Sequence, residues 1–168
     1  EVNPNTIDPI FFNYSEDDKN AIRKKYLIPR DKKVLVYGGN LGKPQGLDFL
    51  LETIEQTKFG NAFFLIVGDG TEFLRVQEWF NSKNPINAKL IQKLPKEDYD
   101  QLLAACDVGL IFLDKNFLIP NFPSRLLSYL EMKMPVIAAT DPNTDVGDII
   151  EKAKCGYKVI SGNQEQMQ

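Results

Sequence analysis

With 168 residues, 43% of them hydrophobic and 26% charged, the chain can bury one core and is too short for two domains of ordinary size. A formal net charge of −3 without a long basic block argues against a nucleic-acid binder, and no apolar run reaches the roughly 18 residues that span a bilayer. Cys106 and Cys155 lack Cys-x-x-Cys spacing and read as reduced packing residues, while the absence of histidine removes a His triad, a His metal site and a His general base.

The chain opens on Glu1-Val-Asn-Pro, without Met or a signal-like region, and is expected to be a piece of a longer protein. Asn3 to Asn13 is irregular and Pro-punctuated, so residues 1–13 read as an interdomain segment. Ser15 followed by Asp18 resembles a capping box and predicts a short charged helix through about Tyr26. Val34 to Tyr37 is an apolar strand, followed by a Gly38-Gly39-Asn40 turn and a helix from about Gln45 to Gln56. Ala62 to Val67 is the second strand, ending in Gly68-Asp69-Gly70, with a helix from about Thr71 to Asn81. Lys89 to Gln92 is a third strand, Pro95 opens a helix through about Ala105, and Val108 to Leu113 is the fourth strand before a loop through Asn121.

Phe122 to Ala138 is the most informative stretch. Pro123 and Ser124 supply turn and helix-start chemistry, with Ser124 capping free N–H groups. Leu126, Leu127, Leu130 and Met134 recur at helical spacing, and Pro135 stops the helix ahead of a strand through Ala139. A helix from Asp145 to Ala153, a strand from Gly156 to Ile160 and a polar tail that starts another element complete the chain. Apolar strands alternating with amphipathic helices predict an α/β domain with a parallel sheet covered on both faces. Ligands of such sheets bind beyond the carboxyl ends of the strands, where the topology switches. The turns after Tyr37 and Val67 and the loop after Leu113 lie at that end.

Several of these segments can carry chemistry. In Tyr37 to Gly46 small residues let a ligand approach the backbone, the following helix offers unpaired N–H groups to a phosphate, and Lys43 adds a mobile charge. The segment is neither a Walker loop nor a dinucleotide Gly-x-Gly-x-x-Gly, and an ordinary strand-to-helix turn is the alternative. Gly68-Asp69-Gly70 reads first as a tight turn and second as a ligand contact. The backbone after Gln92 can meet a flat base edge, with Lys93 and Lys96 as solvated charges. Arg125 falls in the first turn of a helix, where the dipole disfavours a cation unless an anion shares the site. An anion site is expected there, against the alternative of a capped helix with an exposed arginine.

Taken in order, these segments resemble the C-terminal, donor-binding half of a GT-B glycosyltransferase of family 4. The resemblance rests on Asn5-Thr6-Ile7-Asp8 with Phe11-Phe12, Gly39 to Gly46, Val67 to Gly70, Leu94-Pro95 through Asp107, and Pro123-Ser124-Arg125 through Tyr129, Glu131 and Pro135-Val136. It departs from the family where an Arg and a Lys of the first-strand loop become Asn40 and Gln45, and where paired glutamates become Pro120 and Ser128. The resemblance implies a Rossmann-like three-layer domain over residues 14–168, one half of a GT-B enzyme. It implies retaining transfer of a hexosyl or N-acetylhexosaminyl group from a nucleotide diphosphate sugar, a UDP-sugar foremost, in surface polysaccharide or glycoconjugate synthesis. The donor-binding residues it implies are Gly38, Gly39, Asn40, Lys43, Gly68, Asp69, Gln92, Ser124, Arg125 and Ser128. No metal and no cofactor are implied. The general base and the acceptor site are expected from an N-terminal domain of the full-length chain, which would also bring the cytoplasmic enzyme to the membrane face. This chain by itself is expected to be inactive. Two alternatives are a sugar-nucleotide 2-epimerase-like GT-B domain, less similar at Pro123 to Tyr129, and a flavodoxin-like or receiver binding module. A receiver needs an acidic cluster at its strand ends, where this chain carries Gly and Asn.

Overall fold

Strand by strand, apolar side chains alternate between two faces, and helices cover both. The computed structural model describes residues 13–58, 60–117, 119 and 122–167. Asn5 to Phe12 and Pro120, which enter the family resemblance, lie outside the described residues. The order is α1 (Glu16–Lys25), β1 (Lys33–Asn40), a 3-10 turn (Lys43–Gln45), α2 (Leu47–Gln56), β2 (Ala62–Asp69), α3 (Phe73–Lys83) and β3 (Ala88–Gln92). Then follow α4 (Lys96–Ala104), β4 (Val108–Phe112), α5 (Arg125–Glu131), β5 (Val136–Thr140), α6 (Val146–Lys152), β6 (Gly156–Ile160) and α7 (Gln164–Met167). All six strands are parallel, in the order β3-β2-β1-β4-β5-β6.

Val34, Val36, Phe63, Leu65 and Val67 pack on one face with Leu102 and Leu103 of α4, Leu126 and Tyr129 of α5, and Ile150 of α6. Tyr37, Phe64, Ile66, Leu110 and Phe112 pack on the other with Leu50 and Ile54 of α2 and Val76 of α3. Each fully buried aliphatic or aromatic side chain of this kind contributes about 1.5–3 kcal/mol. This is the three-layer α/β domain that the alternation predicts.

The amino ends of the strands are tied down by charge. The capping box forms: the Asp18 amide donates to Ser15 Oγ at 3.1 Å and the Ser15 amide to Asp18 Oδ2 at 2.9 Å. From the last turn of α1, Arg23 donates to the Ala105 carbonyl and, at 2.8 Å, to the Asp107 carboxylate, which also accepts the Val34 amide. Asp107 is thus a clasp between α1, β1 and β4, remote from the carboxyl ends.

Four local expectations change. Gly38-Gly39-Asn40 is strand, because the ladder to β2 continues through Asn40↔Asp69 and overrides the weak strand preference of glycine. The second helix starts at Leu47, after a 3-10 turn, since Gly46 takes a left-handed conformation (φ 56°) between the two. Ser124 does not cap α5: its backbone is already helical (φ −58°, ψ −25°), whereas a capping residue needs an extended one. Leu130 is exposed, and Tyr129 takes the inward position beside Leu126.

The crevice opens between β1 and β4. These strands pair at Leu35↔Val108 and Val36↔Gly109, and the strand order reverses there. Tyr129 fills the gap from above. Its hydroxyl accepts the Gly38 amide at 3.2 Å and lies 3.1 Å from the Val36 carbonyl and 3.2 Å from that of Leu110, to either of which it donates. Burial pushes its pKa up to about 12, so it stays a protonated donor. A side chain at Gly109 would collide with the Tyr129 ring.

Candidate functional site

Two adjoining cavities lie beyond the carboxyl ends of the strands, the smaller beside the switch point and the larger over β1, β2 and the end of β3. The larger, about 870 Å³, is lined by Gly39, Asn40, Val67 to Thr71, Lys93, Leu94, Lys96 and Tyr99. The smaller, about 450 Å³, is lined by Gly38, Gly39, Asn40, Gln45, Tyr99, Phe122 to Arg125 and Ser128. β1 carries the shared floor, β2 extends it under the larger cavity, α4 lines both, and α5 walls the smaller.

Arg125 dominates the smaller cavity. Its guanidinium carbon lies 4.3 Å from the centroid of the Tyr37 ring, and Nη2 donates to Gln45 Oε1 at 2.7 Å. Nη1 is sealed from water and has no hydrogen-bond partner among the described residues. Burial opposes the charge, the nearby Tyr37 and Tyr129 favour it, and the net displacement of its pKa is upward, so the cation persists. A buried cationic donor without a partner is costly, and an anion in the cavity would relieve it. The aromatic face and the amide fix the guanidinium before any ligand arrives. Gln45 itself is buried and also lies 3.3 Å from the Tyr37 hydroxyl, which donates to the Asn40 carbonyl at 2.9 Å.

Gly39 has φ +121°, a conformation that side chains rarely adopt. A Cβ there would stand 3.6 Å from Arg125 Nη2. Its absence leaves the path from the β1 backbone to the guanidinium open. A phosphate group is the kind of ligand that uses such a path, with the backbone on one side and a fixed cation on the other.

Of the expected donor-binding residues, Gly39 and Asn40 line both cavities, Gly68 and Asp69 the larger, and Gly38, Ser124, Arg125 and Ser128 the smaller. Lys43 and Gln92 stand outside both linings. The 3-10 turn aims Gln45 inward and leaves Lys43 exposed, and Gln92 is exposed at the end of β3. Lys93 and Lys96, read from sequence as solvated charges, line the larger cavity, Lys96 paired with Asp100 at 2.6 Å. Tyr37 and Tyr99 belong to the site without any local sign in the sequence, since a strand tyrosine and a helix tyrosine at apolar spacing read as core.

WcaI of Escherichia coli (strain K12), named as a colanic acid biosynthesis glycosyl transferase, is 26% identical over 144 residues, which are 84% of this chain and 35% of that protein. WbjE of Pseudomonas aeruginosa, named as a glycosyltransferase, is 26% identical over 128 residues, 76% of this chain and 32% of that protein. This chain thus spans about a third of the length of these curated relatives. Among solved structures, Anabaena Alr3699/HepE in complex with UDP shares the fold with a TM-score of 0.73 at 19% identity, over 92% of this chain and 42% of that one. The family described as Glycosyl transferases group 1 matches residues 18–168, nearly the whole chain. With that match the flavodoxin-like and receiver alternatives fall away, and this chain, a Rossmann-like domain of GT-B type, belongs to the group 1 glycosyl transferases.

Proposed function

We propose that the two cavities together hold a nucleotide diphosphate sugar, a UDP-sugar, and that residues 14–168 are the donor-binding domain of a retaining glycosyltransferase of family 4. The observation that carries this reading is the Arg125 guanidinium, held by Tyr37 and Gln45 beside the approach past Gly39 while its Nη1 still lacks a partner among the described residues. The diphosphate occupies the smaller cavity and the nucleoside the larger, its base against the backbone at Lys93 and Leu94. The UDP complex of the structural neighbour and the colanic acid relative support a UDP-sugar and surface polysaccharide synthesis.

Group transfer breaks the bond between the sugar and the distal phosphate, and negative charge grows on the departing nucleoside diphosphate. Arg125 is placed to stabilise that charge without reorganising, because Tyr37 and Gln45 already hold it. Ser124 and Ser128 add hydroxyl donors at the cavity wall. The acceptor and the general base come from the domain that precedes this one in the full-length enzyme, and closure of the two domains excludes water.

Calorimetric titration of the chain with UDP, UMP and uridine tests the reading. UDP is expected to bind at least about tenfold more tightly than uridine, with UMP between, because charge-assisted hydrogen bonds contribute about 1.5–3 kcal/mol each. Equal affinity for UDP and uridine would overturn the assignment of the smaller cavity to phosphate.

A further inference from the structure

Tyr99, in the first turns of α4, lines both cavities, as Gly39 and Asn40 do. Its hydroxyl is shielded from water and makes no hydrogen bond of good geometry among the described residues, the Tyr129 hydroxyl being near enough only for a weak interaction. The ring reaches this place only because residue 38 is glycine: a Cβ there would collide with the tyrosine oxygen. A buried hydroxyl left unpaired lowers stability, so the position carries a cost that packing alone does not explain. Burial displaces its pKa far upward, and it remains a donor at any working pH. The second unpartnered donor of the same cavity is Arg125 Nη1. The Tyr99 oxygen lies against Gly38 and the Arg125 guanidinium against Gly39, one from α4 and one from α5, so both side chains border the same stretch of β1 backbone.

We infer that Tyr99 is a donor-positioning residue whose hydroxyl donates to the phosphate next to the ribose, at the waist between the two cavities, while Arg125 holds the distal phosphate. The inference rests on the nucleotide reading above. It also accounts for Asn40 and Gln45, which stand where the family resemblance expects an Arg and a Lys: a neutral hydroxyl takes over part of the phosphate binding, and Gln45 serves to hold Arg125. Occupation of the site by substrate then satisfies a group that the empty domain leaves unsatisfied.

Tyr99→Phe tests this, because it removes the oxygen and keeps the ring. UDP affinity should fall roughly 10-fold or more by calorimetry, whereas uridine affinity should change little. In thermal unfolding without ligand the variant should match or exceed the wild-type midpoint, since an unpaired buried hydroxyl has gone. Wild-type UDP affinity in Tyr99→Phe, alongside weakened binding in Arg125→Ala, would overturn the inference and leave the nucleotide reading intact. A loss of UDP affinity accompanied by a lowered midpoint would assign Tyr99 to packing and overturn it too. A wild-type chain that binds UDP no better than uridine would remove both.

Discussion

Tyr129→Ala is expected to destabilise the domain by about 3–5 kcal/mol and Tyr129→Phe by about 1–3 kcal/mol. The first figure is that of an aromatic deletion in a closed core, and Tyr129 is fully buried between α5 and the sheet. The second follows from one oxygen. At the switch point β1 and β4 part beyond Val36↔Gly109, and the Gly38 amide and the Leu110 carbonyl lack the rung that a continuous ladder would form between them. The Tyr129 hydroxyl accepts the Gly38 amide and donates to one of the two carbonyls beside it, so phenylalanine leaves a buried amide without an acceptor. Urea unfolding at unchanged m-value is the measurement. A loss below about 0.5 kcal/mol in Tyr129→Phe would show that the crevice floor does not depend on this hydroxyl.

Arg125→Ala should weaken UDP binding roughly 10- to 150-fold, the equivalent of one charge-assisted contact of about 1.5–3 kcal/mol. Arg125→Lys should recover little of it. A lysine ammonium cannot stack flat on the Tyr37 ring, bond Gln45 and present a further donor at once, as the guanidinium is arranged to do. Calorimetry with both variants, checked for retained folding by circular dichroism, separates the cation from the scaffold. Undiminished UDP affinity in Arg125→Ala would remove Arg125 from the site.

The fold was legible where the signal is local or periodic. Ser15 and Asp18 announce a capping box that forms, and the strand and helix alternation yields the observed parallel sheet with small shifts at element ends. The Pro123-Ser124-Arg125 turn points to an anion site, and the structure puts Arg125 in a cavity wall, on anchors that do not show in the sequence. Tyr37 lies 88 positions before Arg125 and Gln45 lies 80 before it, and only the close approach of β1 to α5 joins them. Tyr99 and Tyr129 are silent for the same reason: each reads as a core residue of its own helix, and its meaning depends on a glycine of another strand, Gly38 or Gly109. Lys43 illustrates the opposite limit. Charge in a glycine-rich loop suggests a phosphate contact, but the 3-10 turn decides which side chain faces inward, and it is Gln45.

The most direct measurement is a crystal structure of the chain with UDP. The diphosphate is expected in the smaller cavity, with oxygens within hydrogen-bond distance of the Arg125 guanidinium and the Tyr99 hydroxyl, and the uracil in the larger cavity beside Lys93 and Leu94. UDP bound with its phosphates away from Arg125, or outside both cavities, would contradict it.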